Sequence, residues 1–510
     1  MDGLNPARPR HPHATPVGDL ARWLGSRARL HGSDGLDAAV TGVSLSTARV
    51  QPGDLYAALP GARAHGADFA AEALTAGAVA VLTDRDGLAR MAQPVAVPVL
   101  VAPDPRVLLG SVAAHVYGDP AQRLRVLGVT GTQGKTTTTR LLEQGLHAGG
   151  IRAAVVGTVG TRICGQDVKT QLTTPEAPDL HGLFAVMAEE DVDTCAMEVS
   201  SHALVKGRVD GVVFDVATFL NLGRDHLDFH KDLEDYFAAK AELFTPSRAR
   251  QALVNVDDEH GRVLAARAAV PTQTFSVEGR DGDWRAVDVV LRADGASFRV
   301  VGPHGDTDAF VPVPGAFNVA NALAAIASAA LAGHDPQVVA SGIAKGGCVP
   351  GRLEPVVAGQ DFTVVVDYAH KPDAVDAVLR TLRPVTRGRL IVVIGAGGDR
   401  DAGKREVMGD IAARLADVVV VTDDNPRSED PAAIRAAIMA GAAGGPAEVV
   451  EVGGRREAIR HAVRMAGAGD VVVLAGKGHE TGQEVQGEVH PFDDRTVAAE
   501  EITAAQESAR

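Results

Sequence analysis

The chain has 510 residues, 45% apolar and only 4% aromatic, so at roughly 150 residues per domain it holds about three domains with cores of Ala, Val, Leu and Ile. Fifty Lys and Arg against 65 Asp and Glu leave a charge of −15, which argues against nucleic-acid binding and a polybasic membrane contact. An anionic ligand held by a few local cations stays open, and three scattered cysteines (Cys164, Cys195, Cys348) fit a reducing cytoplasm better than a disulfide framework or a zinc site.

The opening MDGLNPARPRHPHATP lacks the apolar segment of a signal peptide, and residues 1–18 are expected to form a disordered tail. No window approaches the ~20 apolar residues of a membrane span. Across residues 19–122, a strand is expected at 54–59 (DLYAAL), a helix at 69–76 closed by Gly77, and a buried strand at 78–82. A second block, 123–350, opens with LRVLGV at 124–129 and continues with strand-like runs at 153–156, 194–199, 215–220 and 252–256. A third, 351–510, has strands at 362–366, 390–394, 418–421 and 471–474. Helix-length segments separate most of them. This alternation predicts an α/β protein with mostly parallel sheets, whose ligands bind beyond the carboxyl ends of the strands.

The sharpest local feature is Gly128-Val-Thr-Gly131-Thr-Gln-Gly134-Lys135-Thr136-Thr137, between an expected strand and a helix expected at 136–146. Glycines let backbone N–H groups turn toward phosphate oxygens, and the helix N-terminus adds partial positive charge. Lys135 would reach the β- and γ-phosphates, and the Thr136 hydroxyl would ligate Mg²⁺. The spacing is a short G-x-x-G-K-T form led by Gly131. A nucleoside triphosphate site follows, without choosing between motor, kinase, switch and ligase.

Glu198 ends the run TCAME, where a hard oxygen ligand would complete a Mg²⁺ site with Thr136. His226 follows the strand-like VATFLNL within NLGRDHLD, and Lys240 lies on the helical YFAAKAELF. Taken alone, the histidine reads as structural and the lysine as a surface residue.

Together, GTQGKTT, TTPEA, MEVSSHAL, NLGRDHLDFH and AAKAELF resemble the Mur ligase family, the ATP-dependent amino-acid-adding enzymes of peptidoglycan precursor synthesis. The resemblance continues through GAFNVANALAA, GRLEPV, VDYAHKPDA, GAGGDRDAGKR, TDDNPR and AGKGHE, and in motif order it is to the tripeptide-forming branch. After the lead-in at 1–18, it implies three domains: a smaller α/β domain for the UDP-muramoyl substrate at 19–122, a central P-loop parallel-sheet ATPase domain at 123–350, and a Rossmann-like amino-acid-binding domain at 351–510.

The resemblance also implies roles. Gly131, Thr132, Gln133, Gly134, Lys135, Thr136 and Thr137 would cradle ATP, with Asn321 on the adenine side and Arg352 and Asp367 at phosphates and ribose. Thr136 and Glu198 would hold one Mg²⁺. His226 and Lys240, the latter carbamylated to N6-carboxylysine, would hold a second, and Lys135, Glu198, His226 and Lys240 form the implied catalytic set. Leu45, Thr47, Ala62, Arg63 and Ala64, then Thr173, Thr174, Ser200, Lys206 and Arg208, match positions that hold the UDP-muramoyl-dipeptide.

Asp424-Asn425-Pro426-Arg427 resembles the motif of the diaminopimelate-adding branch, since a planar arginine fork suits the extra carboxylate that lysine lacks. Arg400, Gly476 and Glu480 match the remaining amino-acid contacts. The implied reaction activates the D-glutamate carboxylate as an acyl phosphate, which the amine of diaminopimelate (the meso form) attacks, giving ADP and phosphate. The implied enzyme is a cytoplasmic monomer with no nucleic-acid or membrane partner. LL-diaminopimelate or lysine as the amino acid, and folylpolyglutamate synthetase as the ligase, are the nearest alternatives. A P-loop switch lacks use for the Glu198, His226 and Lys240 set. A dinucleotide oxidoreductase needs a third glycine that Gly395-Ala-Gly397-Gly398-Asp-Arg400 does not supply.

Three positions depart from the family pattern. Gln133 replaces a usual Asn, and Lys206 a common substrate-contacting Gln. Ser46-Thr47-Ala48 stands where an Asp-Ser-Arg element meets the uridine nucleotide, and Ala48 cannot replace an arginine.

Overall fold

The computed structural model describes residues 8–92, 95–170, 172–226, 229–292 and 294–508. The chain forms two compact units. The first comprises Met1–Arg285, Val301–Asp306 and Asn321–Gly342; the second comprises Ala286–Val300, Thr307–Ala320 and Ile343–Arg510.

Besides a two-stranded pairing near the N-terminus, the described residues of the first unit form two larger sheets. The smaller has the strand order Arg29–His31, Val99–Val101, Ala80–Thr83, Asp54–Ala57, Gly42–Ser44, parallel except at its first pair. The helix expected at 69–76 begins earlier, as a 3-10 turn Gly66–Phe69 running into the helix Ala70–Thr75. His65 causes the early start: its Nδ1 accepts the Ala67 N–H while the Asp68 carboxylate accepts the His65 N–H, a reciprocal cap.

The expected disordered tail needs correction. From Arg8 onward the segment is structured, and residues 1–7 lie outside the described residues. The Arg8 guanidinium pairs with Asp54 at 2.6 Å, and Glu189 accepts the N–H groups of Arg10 and His11 at 2.8 and 2.6 Å. Thr15–Pro16 then pairs with Ala39–Val40, and Val17–Leu24 is helical. Its polar composition reads as solvated, but a carboxylate buried within a strand needs a cation, and Arg8 supplies it.

In the larger sheet the strand Arg125–Thr130 lies between Thr194–Glu198 and Val216–Phe219, parallel to both. Ala153–Gly157 extends it on one side and Ala252–Asn255 and Thr272–Ser276 on the other, all parallel. All five residues of Ala153–Gly157 and Thr194–Glu198 are buried, as a sheet covered on both faces requires. The register sets Glu198 opposite Val129 and Phe219 opposite Thr130, so three neighbouring strands end at one level where the glycine-rich loop begins.

The second unit contains a six-stranded sheet in the order Glu354–Pro355, Thr363–Asp367, Val471–Ala475, Leu390–Ile394, Val418–Val421, Glu448–Glu451, parallel but for the first pair. The all-apolar runs at 390–394 and 418–421 form the strands expected there. Behind them Arg455 and Asp494, both fully buried, form a two-point ion pair at 2.8 and 2.6 Å. Among the described residues no helix is long and apolar enough to cross a membrane.

Candidate active site

The glycine-rich loop leaves the centre of the larger sheet and feeds the helix Lys135–Ala148. Gly131 (φ 155°) and Gly134 (φ 86°) occupy backbone conformations that side chains disfavour, and a Cβ at Gly134 would stand 2.4 Å from the Asn321 Oδ1. Asn321 is thereby seated against the loop, where it also accepts from the Thr138 hydroxyl at 3.3 Å. The Lys135 ammonium folds back onto the carbonyls of Gly131 (2.7 Å) and Thr132 (3.1 Å). Thr136 and Thr137 are buried in the first helical turn.

Asn221, absent from the sequence-derived site, braces this loop. Its Oδ1 accepts the Thr132 and Gln133 N–H groups at 3.1 and 2.9 Å, and its Nδ2 donates to the Gln133 carbonyl at 3.2 Å. It lies just beyond the strand Val216–Phe219, and only its position in NLGRDH hints at the role.

Glu198, buried at the end of its strand, receives the Thr158 N–H on one oxygen at 2.8 Å and the Thr158 hydroxyl on the other at 3.0 Å. The Thr158 hydroxyl reaches Thr173 at 3.0 Å, and the Thr174 hydroxyl donates to the Glu198 carbonyl at 2.9 Å. Ser200 caps the following short helix through Ala203 and lies 3.4 Å from Thr174. Arg208 donates to Thr174 and pairs with Glu176 at 2.8 Å, a carboxylate that Arg106 also reaches at 3.3 Å. The sequence-derived residues Thr173, Thr174, Glu198, Ser200 and Arg208 thus share one network. Thr158 and Glu176 complete it without having been singled out.

Lys240 is buried, with its Nζ 3.1 Å from the Gly131 carbonyl and 4.5 Å from the Tyr236 ring centroid. Burial foremost, and then the Lys135 charge, hold its amine well below the ordinary lysine range. His226 has φ 54°, lies 3.6 Å from Asp225, and meets the His202 ring edge-on at 4.8 Å. Asp228, quoted within the same motif, lies outside the described residues.

The other sequence-derived positions are dispersed. Leu45 follows the edge strand Gly42–Ser44, and Thr47 opens the 3-10 turn Thr47–Arg49, whose Arg49 pairs with Asp179 at 2.9 Å. Ala62, Arg63 and Ala64 occupy an exposed loop closed by Gly61 N–H to the Ala64 carbonyl. Lys206 lies over the Phe229 ring at 5.7 Å.

In the second unit, the Asp367 carboxylate accepts the Leu353 N–H at 2.8 Å, and burial raises its pKa against the pull of Arg352. The Arg352 guanidinium lies 4.8 Å from the Tyr368 ring centroid. Arg427 (φ 51°) donates from Nε to Glu484 at 3.1 Å and from Nη1 to the Gly398 carbonyl at 2.7 Å. A Cβ at Gly397 would meet Arg427 at 2.9 Å and Arg400 at 3.8 Å, so both arginines border one glycine turn. Gly476 (φ 117°) passes so near Asp424 that a Cβ would stand 2.3 Å from its carboxylate. Asn425 donates to Glu480 at 2.9 Å, joining the DNPR and GKGHE segments.

Three family models match the chain. They are the Mur ligase family catalytic domain over residues 39–117, the Mur ligase middle domain over 129–329, and the Mur ligase glutamate ligase domain over 351–478. UDP-N-acetylmuramoyl-L-alanyl-D-glutamate–2,6-diaminopimelate ligase of Streptomyces avermitilis is 54% identical, over 98% of this chain and 99% of that protein. The chain belongs to the Mur ligase family. The Streptomyces coelicolor protein of the same name is 53% identical to this Mur ligase, over 98% of the chain and 99% of the relative. A solved structure of a ligase of that name superposes with a TM-score of 0.68 at 33% identity, covering 97% of this chain and 99% of the other.

The donors of this Mur ligase fit a nucleotide with Mg²⁺. A serine-like hydroxyl at Thr136 and a carboxylate at Glu198 are hard oxygen donors, and the glycine loop presents backbone toward phosphate. Among the described residues no three His, Cys, Asp or Glu side chains cluster tightly enough to cage a metal. Mg²⁺ is held by one or two protein groups together with phosphates and waters, and Thr136 and Glu198 are donors of that kind. An unmodified Lys240 ammonium does not fit a second cation, whereas the same side chain carrying a carboxylate does.

Proposed function

We propose that this Mur ligase joins diaminopimelate, in its meso form, to the D-glutamate carboxylate of UDP-N-acetylmuramoyl-L-alanyl-D-glutamate, consuming ATP. The reading is carried by the meeting of DNPR and GKGHE, where Arg427 and Arg400 border one turn and Glu480 receives Asn425. It is supported by relatives 53–54% identical that bear that name. An arginine fork for a carboxylate beside an acid for an ammonium is the recognition that the distal end of diaminopimelate requires.

The carboxylate is unreactive toward amines because it is anionic and its leaving group is poor. Transfer of the γ-phosphoryl to a carboxylate oxygen, breaking the bond to ADP, gives an acyl phosphate. The neutral amine then attacks the acyl carbon, loses a proton and expels phosphate. Lys135 offsets charge on the transferring group and the loop N–H groups orient it. Mg²⁺, when bound, supplies further neutralisation of phosphate charge. Thr173, Thr174, Ser200 and Arg208 hold the muramoyl-dipeptide beside Glu198, with Leu45, Thr47, Arg63 and Lys206 toward the nucleotide-sugar.

In this reading residues 19–122 serve the UDP-muramoyl substrate, 123–350 ATP and 351–510 the amino acid, in a cytoplasmic monomer without membrane or nucleic-acid partners. Phosphate release with the UDP-muramoyl-dipeptide and a panel of meso-diaminopimelate, LL-diaminopimelate and lysine tests it. Release is expected with meso-diaminopimelate above the others; preference for lysine refutes the assignment.

A further inference from the structure

Lys477 is fully buried, yet its ammonium lies between two groups assigned above to the incoming amino acid. It donates to the Asn425 Oδ1 at 3.1 Å and to the Glu480 Oε2 at 3.4 Å. The Glu484 N–H donates to the same Asn425 oxygen at 2.9 Å, and the Asn425 Nδ2 donates to Glu480 at 2.9 Å.

The chemistry of these partners admits one orientation of the Asn425 amide. An ammonium and a backbone N–H only donate, and an ionised carboxylate only accepts. Carbonyl toward Lys477 and NH₂ toward Glu480 satisfies all three; the flipped amide sets donor against donor and oxygen against carboxylate. Both oxygen sites of Asn425 are then filled from within the chain, and one Nδ2 proton remains beyond the bond to Glu480. Glu480 has its Oε2 engaged twice, which fixes the rotamer that presents the carboxylate.

Backbone ties these segments only at an isolated bridge between Arg427 and Val485, where the Arg427 N–H donates to the Glu484 carbonyl at 3.0 Å and the Gln486 N–H to the Arg427 carbonyl at 2.7 Å, among the described residues. Asn425 follows the strand Val418–Val421, Lys477 and Glu480 follow Val471–Ala475, and Leu390–Ile394 lies between the two strands. At Asn425 itself side chains complete the link: Lys477 from within, and Gln483 donating to the neighbouring Asp424 carbonyl at 2.6 Å.

We propose that Lys477 is a positioning residue of the amino-acid pocket: it locks the Asn425 amide with its N–H side, and Glu480 with its carboxylate, toward the distal end of the incoming diamino acid. This rests on the reading of DNPR and GKGHE as the amino-acid site. Lys477 itself, having no exposed surface, touches no substrate. Its loss leaves Glu480 without its nearest cation and Asn425 without one of the two donors that specify its orientation.

The test is steady-state kinetics of the full chain with Lys477→Met and Lys477→Gln, varying each of the three substrates in turn. Wild-type turnover comes first: no turnover with any diaminopimelate overturns the reading of the site on which this rests, independently of Lys477. Given that turnover, Lys477→Met is expected to raise the KM for diaminopimelate about tenfold, with the KM values for ATP and the muramoyl-dipeptide within about twofold of wild type. Lys477→Gln keeps an N–H donor for Asn425 without the charge and should fall between. An unchanged diaminopimelate KM, or all three rising together as loosened folding would cause, overturns the proposal. If Lys477→Met does not fold, Lys477→Gln decides alone: a selective rise of about threefold supports it and a flat or uniform response refutes it.

Discussion

Lys135 and Lys240 donate to the same acceptor, the Gly131 carbonyl, at 2.7 and 3.1 Å. Two ammonium groups on one oxygen repel, and burial of Lys240 adds to the cost of its charge. A neutral amine is the form that attacks CO₂, and the product is an anion that attracts Lys135 instead of repelling it. Native mass spectrometry of the active protein should find Lys240 carrying the mass of one CO₂, and Lys240→Met should abolish ligation while ATP still binds. Full activity from protein with an unmodified lysine would contradict this.

Thr158 holds both oxygens of Glu198. Thr158→Val keeps the backbone bond and removes the hydroxyl one, freeing the carboxylate to rotate away from the phosphate loop. The half-saturating Mg²⁺ concentration should rise about tenfold, the usual cost of losing a partner behind a metal ligand. The KM for diaminopimelate should stay constant; a shift there with no change in Mg²⁺ requirement would assign Thr158 a different role.

Arg427→Ala should depress kcat/KM for diaminopimelate by at least about tenfold and leave the KM for ATP near wild type. Arg427→Lys retains charge but not the planar fork and should recover only part of the loss. Equal damage to both substrates would remove the specificity argument.

The Arg455–Asp494 pair is buried on both sides, and Arg455 also donates to the Ala475 carbonyl at 3.0 Å. Removing one partner strands a charge. Arg455→Met should therefore cost about 3–5 kcal/mol, read as a lowered urea midpoint. Adding Asp494→Leu should return most of it, because the apolar pair carries no desolvation debt.

His370 donates from Nδ1 to the Tyr368 carbonyl at 2.7 Å, and burial foremost, aided by Lys371 and Lys404, lowers its pKa to about 4. Between that value and the ordinary 6.5 the unfolded chain binds a proton that the folded chain does not. Its contribution to stability thus falls as the pH drops from 6.5 toward 4. In His370→Gln the acid-side loss of stability should be shallower by up to one proton, measured by urea titrations across that range.

The strands at 390–394 and 418–421 are legible in the sequence because each is an unbroken apolar run, the pattern of a sheet covered on both faces. The ribbon strand Trp284–Arg292 is not, since its apolar Val289, Val290 and Leu291 are exposed and follow no burial period. The phosphate loop announces itself through glycines packed into a few consecutive positions. The roles of Asn221, Thr158 and Lys477 do not announce themselves, because each acts on a partner 88, 40 or 52 residues away; Asn221 and Lys477 lie within motifs, but nothing local states what they brace, and nothing marks Thr158.

The arm that starts at Arg8 has a consequence for how this chain is made. Arg10 is anchored by Glu189, which is synthesised 179 residues later. At 5–20 residues per second, that acceptor reaches the growing chain roughly 10–35 s after the arm has emerged. Arg8 can meet Asp54 after 46 residues, but the Arg10–His11 stretch must wait in solvent for Glu189, and its prolines, histidines and arginines suit that wait. A composition that reads as disorder is the one suited to a segment that docks late.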